Sequence, residues 1–318
     1  MRENKKHSFN HLKIHSQYSI CEGAVKIEDL KIFCKENKIK SVGLCDTSNL
    51  CGALEFSENI SKVGTQPIIG TQINFKFDNT IGLLPLIALN ESGYKKIIDL
   101  SSKSYLENDA LSEPHLNINE LYKVNEGVLV LSGTTQGFFG KLFDKGRFDE
   151  ITKIYEKLSS IFIDRFYLEI QRHGDKNEML FEKYNLKQSS QLEIPTIATH
   201  EVFYLNQDMH EAHDALTCIG SKTYVNEKNR IKYSDQHYFK SEEEMSKLFF
   251  DLPEALENNY NLPFRCNFKP NFSKPVLPNI SSEKGGNADE VLTKESEEGL
   301  KNKFQKVFKL DDKNLSAN

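Results

Sequence analysis

The chain has 318 residues and a net charge of −5, with 38% hydrophobic and 27% charged residues. This composition is typical of a globular protein and shows no sign of a basic nucleic-acid-binding domain. No apolar run approaches the ~20 residues of a membrane-spanning helix, and no signal-peptide core follows the charged N-terminus. The six cysteines include no Cys-x-x-Cys pair, which favours buried thiols in a reducing compartment. We therefore expect a cytoplasmic protein that has no membrane partner.

The first 205 residues alternate between strand and helix patterns. Leu12 and Ile14 alternate with polar neighbours, which predicts a short strand at 11–15. Apolar residues at helical spacing predict a helix at 26–37, and a buried run predicts a strand at 41–46. We predict further strands at 67–77, 81–89, 127–133, 166–170 and 195–199, and further helices at 50–63, 92–106, 148–159 and 178–191. This α/β rhythm fits a (β/α) barrel or an open doubly wound sheet, and the pattern alone does not separate the two.

The remaining residues predict helices and then a change of composition. A helix is expected at 208–220, and Ser241 with Glu244 forms a capping-box pattern that begins another. From Lys269 onward, prolines and then glycines indicate a linker. Residues 288–308 have the apolar spacing of one further helix.

The segment from His11 to Gly23 carries the most specific motif. A polar strand face that ends in histidine at a loop is a common way to place metal ligands. The segment resembles the first motif of the PHP (polymerase and histidinol phosphatase) superfamily, in which His-x-His is followed by Asp-Gly. This chain has Lys13-Ile14-His15 and then Glu22-Gly23.

Further landmarks make the resemblance closer to the start of the alpha subunits of bacterial replicative (C-family) DNA polymerases. They occur in the same order along the chain, at residues 9–12, 49–56, 67–70, 131–133, 166–170, 241–245 and 252–258. The resemblance implies a PHP-type distorted (β/α)7 barrel with a C-terminal helical extension. It implies a PHP domain at 1–270, a linker at 271–287, and the truncated start of the palm and thumb region at 288–318.

The resemblance also identifies ten residues at or beside the ligand positions of a metal pocket. They are Lys13, His15, Glu22, Asp46, Thr47, Gln72, Tyr105, Thr134, Glu201 and Phe203. At Lys13, Thr47 and Phe203 the family pattern has histidine, and Ser104 is an alternative to Tyr105 at another such position. Lysine brings positive charge where cations would bind and offers no acceptor. We expect a vestigial pocket in which Lys13 pairs with Glu22 or Glu201, without a catalytic metal cluster.

Only His15, Glu22 and Glu201 remain as residual metal ligands, with Asp46 near by. His210 and His213 are three residues apart on a predicted helix, and we interpret them as packing or capping residues. His200 lies in the last strand-end motif, at a position where the family pattern usually has asparagine, and His213 matches the Ala-His of the family pattern in its helix and is interpreted as structural. The segment from Gly133 to Gly137 lacks the lysine of a phosphate-binding loop and is interpreted as a turn that enters a helix.

These features lead to three functional hypotheses. The first is a metal-poor PHP domain that supports the parent polymerase and docks the proofreading exonuclease subunit, with DNA and the other holoenzyme subunits as partners of the parent enzyme. The polymerase active site and its Mg²⁺ belong to a palm that is absent here, so we expect no cofactor and no catalysis from this chain, which is a fragment or a truncated form. The second is a metal-dependent PHP phosphoesterase or 3′–5′ exonuclease. The third is an unrelated (β/α) enzyme with an organic substrate.

Overall fold

The computed structural model describes residues 9–109, 111–124, 126–275 and 287–308. The strands are β1 Lys13–Ile14, β2 Ser41–Thr47, β3 Gln66–Phe77, β4 Thr80–Ala88, β5 Leu116–Asn117, β6 Val128–Leu131, β7 Phe166–Ile170, β8 Thr196–Ala198 and β9 Glu201–Val202. The helices are α1 Ile27–Glu36, α2 Ala53–Ser61, α3 Glu91–Leu106, α4 Ile118–Tyr122, α5 Phe138–Asp144, α6 Phe148–Ile161, α7 Glu178–Leu192, α8 His210–Ser221, α9 Glu242–Leu248, α10 Pro253–Asn261 and α11 Ala288–Phe308. Short 3-10 helices lie at Gln207–Met209 and Leu262–Arg265.

One nine-stranded sheet organises the residues up to 271. Its strand order is β8-β7-β6-β4-β3-β2-β1-β9, and β5 pairs with β3. Strand β4 is antiparallel to both β3 and β6, whereas the other pairs are parallel. Only two residues connect β3 to β4, and the first of them, Asp78, has a φ of 49°. A two-residue connection can join only antiparallel strands, so the βαβ rhythm is interrupted here.

The predicted elements are largely present, and the α/β class is confirmed. The apolar face predicted for α6 is buried through Ile151, Ile154, Tyr155 and Leu158. The predicted capping box at Ser241 is also formed at the start of α9. Helix α4 and the short strands β5 and β9 were not predicted as separate elements, because two to five residues are too few to establish a period. Helix α5 begins directly after the segment from Gly133 to Gly137, which was interpreted as a turn that enters a helix.

The order of the strands decides which residues can form a site. Strands β1 and β9 pair in parallel, although 186 residues separate His15 from Glu201. Lys13 is directly opposite Glu201 in this register, and Ile14 is opposite Val202. The carboxyl ends of β1, β2 and β9 therefore meet at one edge, where the first motif continues into its loop.

The chain separates into two compact units, Met1–Asn271 and Phe272–Asn318. In the second unit, the predicted C-terminal helix is present as α11. Residues 276–286 of the predicted linker and residues 309–318 lie outside the described residues. Among the described helices, none combines the length and the apolar character needed to cross a bilayer.

Candidate functional site: a buried charge cluster at the strand ends

Lys13 is the centre of the cluster. Its side chain is completely buried, and its Nζ lies 3.2 Å from Glu169 Oε1 and 3.4 Å from Glu201 Oε1. Burial alone would lower the pKa of Lys13, but the two carboxylates hold it well above its ordinary value. Lys13 is therefore a cation at neutral pH, neutralised by two carboxylates from two other strands.

Glu201 also accepts hydrogen bonds from two neighbours. His15 Nε2 lies 2.9 Å from Glu201 Oε1, and the side-chain amide of Gln72 donates to the same oxygen. Burial would raise the pKa of Glu201, but Lys13 and His15 bring it well below its usual range. Burial would lower the pKa of His15, yet Glu22 and Glu201 raise it. The group thus favours a carboxylate at Glu201 and a protonated imidazole at His15.

Glu22 lies at the more open side of this cluster. Its Oε2 is 3.8 Å from His15 Nδ1 and accepts a hydrogen bond from the Thr47 hydroxyl. The next residue, Gly23, lies close to the backbone that follows β1. An added Cβ at Gly23 would lie 2.2 Å from Ser16 O, so a larger residue does not fit there. The Glu-Gly pair of the first motif therefore has a steric reason in this chain as well as a chemical one.

Asp46 closes the loop that follows β1. Its carboxylate accepts hydrogen bonds from Ser16 N at 2.7 Å, Ser16 Oγ at 2.8 Å and Ser19 Oγ at 2.8 Å. Burial raises the pKa of Asp46 above its ordinary value, although the Ser19 and Ser16 hydrogen bonds oppose that shift. Asp46 thus holds a loop in place, and its oxygens are already used by donors of this chain.

We predict that Asp46→Asn lowers the free energy of unfolding by about 1–3 kcal/mol, because the amide nitrogen cannot accept the bonds that one carboxylate oxygen accepts. A urea titration followed by circular dichroism measures the change. The matched control is Asp235→Asn, an exposed carboxylate that bonds Gln207 and Gln236, with an expected change within about 0.5 kcal/mol. Equal changes in the two variants would contradict this role for Asp46.

Thr134 and Phe203 complete the pocket that the sequence predicted. Both residues line a cavity of about 50 Å³ together with Glu22, Gln72 and Glu201. The Phe203 ring is buried and packs 4.7 Å from the His15 ring and 5.2 Å from the His213 ring. An aromatic ring in this position fills space but donates no ligand atom.

Tyr105 was predicted to belong to the pocket, and the structure places it elsewhere. Its side chain is 52% exposed on α3, and it is not among the described residues that line the cavity. Its neighbour Ser104 is buried, because adjacent helical residues point about 100° apart. The other nine predicted residues lie in the charge cluster, in the Asp46 loop or at the wall of the cavity.

Sequence reasoning missed Glu169 as a site residue. It is the single charged residue in β7, which is otherwise apolar or aromatic, and its exposure is 2%. Its Oε1 accepts hydrogen bonds from Gln171 Nε2 at 2.8 Å and from the Thr199 hydroxyl. A lone charge in a buried strand requires a buried partner, so the sequence did contain a signal.

A second group that the sequence did not reveal comprises His173, Asp175 and His237. Their potential ligand atoms lie within 4.8 Å of one another, beside the same cavity. His210 and His213, in contrast, bond two different carbonyl oxygens, those of Tyr233 and Glu22. The interpretation of this helical pair as packing residues fits these contacts.

The residues at the predicted pocket do not fit a cluster of two or three metal ions. The Lys13 ammonium lies between two carboxylates that could otherwise bind a cation. Thr47 uses its hydroxyl on Glu22, and Phe203 has no donor atom. A multi-metal phosphoesterase centre needs several convergent nitrogen and oxygen ligands, and here most of them are replaced or already paired.

Comparison with known proteins shows which family the sequence matches. The family model described as "PHP domain" matches residues 11–173. The chain is 35% identical over 310 residues to the DNA polymerase III subunit alpha of Caulobacter vibrioides, covering 93% of this chain and 27% of that protein. The corresponding protein of Rickettsia conorii is 36% identical over 302 residues, covering 95% of this chain and 26% of the relative. A solved structure from Bifidobacterium adolescentis, named as a metal-dependent phosphoesterase, has 10% identity and a TM-score of 0.39, covering 61% of this chain and 87% of that one.

The chain spans about a quarter of the length of these curated relatives. The matched PHP segment, in contrast, is just over half of the present chain and includes β1 to β7. It contains the first motif, the Asp46 loop and Glu169. By its sequence, the chain belongs to the PHP domain family.

Proposed function

We propose that this chain is the PHP part of the alpha subunit of a bacterial DNA polymerase III, in which it supports the polymerase and docks the proofreading exonuclease subunit without metal-dependent catalysis of its own. The observation that carries this proposal is the buried ammonium of Lys13 at the centre of the former ligand positions. Similarity to the alpha subunits extends over more than 90% of the chain. This similarity supports the assignment to the parent enzyme.

The electrostatics of the cluster support the loss of a metal centre. A divalent cation beside Glu169 and Glu201 would be a few ångströms from the Lys13 ammonium, and like charges at that distance repel strongly in a buried environment. The pKa of Lys13 is raised, so Lys13 stays protonated at neutral pH and its repulsion of a metal ion remains. The folded chain holds these strands together through charge pairs of its own residues.

The proposed domain arrangement follows from the same assignment. Residues 1–270 form the PHP domain, residues 271–287 the linker, and residues 288–318 the start of the polymerase region. DNA synthesis, its Mg²⁺ and contact with DNA belong to the rest of the parent enzyme, which acts in the cytoplasm within a multi-subunit complex. A binding role requires only a stable surface, which a fold without its metals can still provide.

The docking role is tested with the purified chain and the cognate exonuclease subunit. Size-exclusion chromatography and calorimetry are expected to show a 1:1 complex. The control is the exonuclease mixed with an unrelated protein of similar size and charge. If circular dichroism shows a folded chain and no complex forms at tens of micromolar, the docking role is wrong.

The alternative function is a metal-dependent phosphoesterase or 3′–5′ exonuclease. One observation favours it: His15, Glu22 and Glu201 still lie together beside the cavity. We expect neither phosphatase nor exonuclease turnover with Mn²⁺, and fewer than two bound divalent ions per chain. Turnover that disappears in His15→Gln, together with two or three bound ions, would establish the alternative instead.

A further inference from the structure

His237 is a buried histidine whose two ring nitrogens face different groups. Its Nδ1 lies 3.2 Å from the carbonyl oxygen of Glu201, and its Nε2 lies 3.0 Å from Asp175 Oδ2. A carbonyl oxygen can only accept, so Nδ1 carries the proton in the neutral ring. The lone pair of Nε2 then points at a carboxylate oxygen, and two acceptors at this distance need a positive charge between them.

A single metal ion satisfies that geometry. Two ligands at ~2.1 Å from a Zn²⁺ ion lie about 3.0 Å apart at an angle near 90° and about 3.4 Å apart at the tetrahedral angle. The observed separation of 3.0 Å is within this range. Histidines that bind metals commonly donate their other ring N–H to a carbonyl or a carboxylate, as His237 does to Glu201 O.

His173 supports the site but does not act as a ligand. Its Nε2 accepts the backbone N–H of Glu201 at 3.1 Å, so its Nδ1 carries the proton and faces Glu178 Oε1. Its ring is stacked on that of His237 with centroids 4.0 Å apart and planes 5° apart. Two parallel stacked rings cannot both contain one metal ion in their planes. His173 therefore fixes the orientation of the His237 ring.

The surroundings allow an ion to enter and keep bound water. Asp175 and His237 line the cavity of about 50 Å³, which has room for a few water molecules. The side chain of Asp175 is 21% exposed, whereas that of His237 is 2% exposed. Glu22 and Glu178 line the same cavity. Imidazole and carboxylate ligands suit Zn²⁺ among the common divalent ions.

We propose that Asp175 and His237 bind one Zn²⁺ ion with water as the remaining ligands, at a site separate from the residual positions His15, Glu22 and Glu201. This site is independent of the proposed function, because a single ion held by two residues leaves the Lys13 cluster intact. It bridges the loop after β7 to the segment before α9, which are 62 residues apart. The ion would therefore stabilise one wall of the cavity.

The test uses the 318-residue chain, stripped with a chelator and titrated with Zn²⁺. Calorimetry and elemental analysis are expected to give one Zn²⁺ per chain, with at least a tenfold loss of affinity in Asp175→Asn and in His237→Gln. Glu22→Gln, which removes a carboxylate from the same cavity, is expected to keep the affinity within about threefold. His115, which is partly exposed, provides a second control as His115→Gln.

A spectroscopic measurement on the wild-type chain tests the site even if the variants fold poorly. Co²⁺ added to the wild-type chain is expected to show a visible spectrum that differs from that of the aqueous ion and that is lost when Zn²⁺ replaces the bound Co²⁺. Absence of stoichiometric Zn²⁺ in the wild-type chain overturns the site and indicates a proton shared by His237 and Asp175. Loss of binding in Glu22→Gln as large as in His237→Gln overturns its location. Neither result bears on exonuclease docking, which is measured separately.

Discussion

Replacing Lys13 with methionine is expected to lower the free energy of unfolding by about 3–5 kcal/mol at neutral pH, because Glu169 and Glu201 then remain buried without their cation. Methionine keeps most of the side-chain volume, so the loss reports charge rather than packing. Urea titrations followed by circular dichroism measure it. The loss should shrink as the pH falls towards 4, because Glu201, no longer held ionised by Lys13, can take up a proton.

The matched control is Lys31→Met. Lys31 Nζ lies 2.9 Å from Glu28 Oε1 on the surface of α1, with side-chain exposures of 26% and 61%. An ion pair of this kind contributes about 0–1 kcal/mol. If the free energy of unfolding falls by the same small amount in both variants, Lys13 is not the cation that holds the strand ends together.

The second large effect is a steep loss of stability in mild acid. Burial lowers the pKa of His11 and of His213 to about 4, and it lowers the pKa values of His173 and His200 well below the ordinary value. His11 and His200 donate through Nε2 to carbonyl oxygens, and the Nδ1 atom of each is buried without a partner in the described part of the chain. Protonation would place a charge at an atom that has no acceptor.

The direction of this pH effect follows from the number of protons that the folded and the unfolded chain bind. Below pH ~6.5 the unfolded chain binds protons at these histidines and the folded chain does not, so stability falls as the pH is lowered. Each histidine contributes on the order of 1 kcal/mol per pH unit between pH ~6 and its folded pKa. His15 acts in the opposite direction: its raised pKa stabilises the fold fully below pH ~6.5, and this contribution is lost as the pH rises through the folded pKa.

We therefore expect the urea midpoint to fall steeply between pH 6.5 and 5. His200→Gln can retain a donor for Tyr238 O, because the glutamine amide reaches the position of His200 Nε2, and it should reduce the slope by about one proton. Glu201 adds a further loss at lower pH, since its depressed pKa stabilises the fold fully above the unfolded value of ~4.3, and this contribution is lost as the pH falls from there towards the folded pKa. A midpoint that does not change down to pH 5 would contradict the neutral state of the buried histidines.

The chain itself contains the local information for most elements and for the family. The period of α6, the capping box of α9 and the alternating strand around Ile14 depend on neighbours within one or two turns, and all three patterns are visible in the sequence. Ordered landmarks and the first motif were also sufficient to place nine of the ten pocket residues at one location. Tyr105 is not at that location, since its side chain is 52% exposed on α3.

Only the tertiary structure decided which charges meet. Lys13 was expected to pair with Glu22 or Glu201, and its partners are Glu201 and Glu169, because β9 lies directly beside β1 and the interior of the sheet brings β7 within reach. The contact of His237 with Asp175 likewise joins segments 62 residues apart. Strand order and register are set by the packing of the whole sheet, whereas sequence patterns report only local periodicity. The identity of each ion pair therefore became visible only in the folded chain.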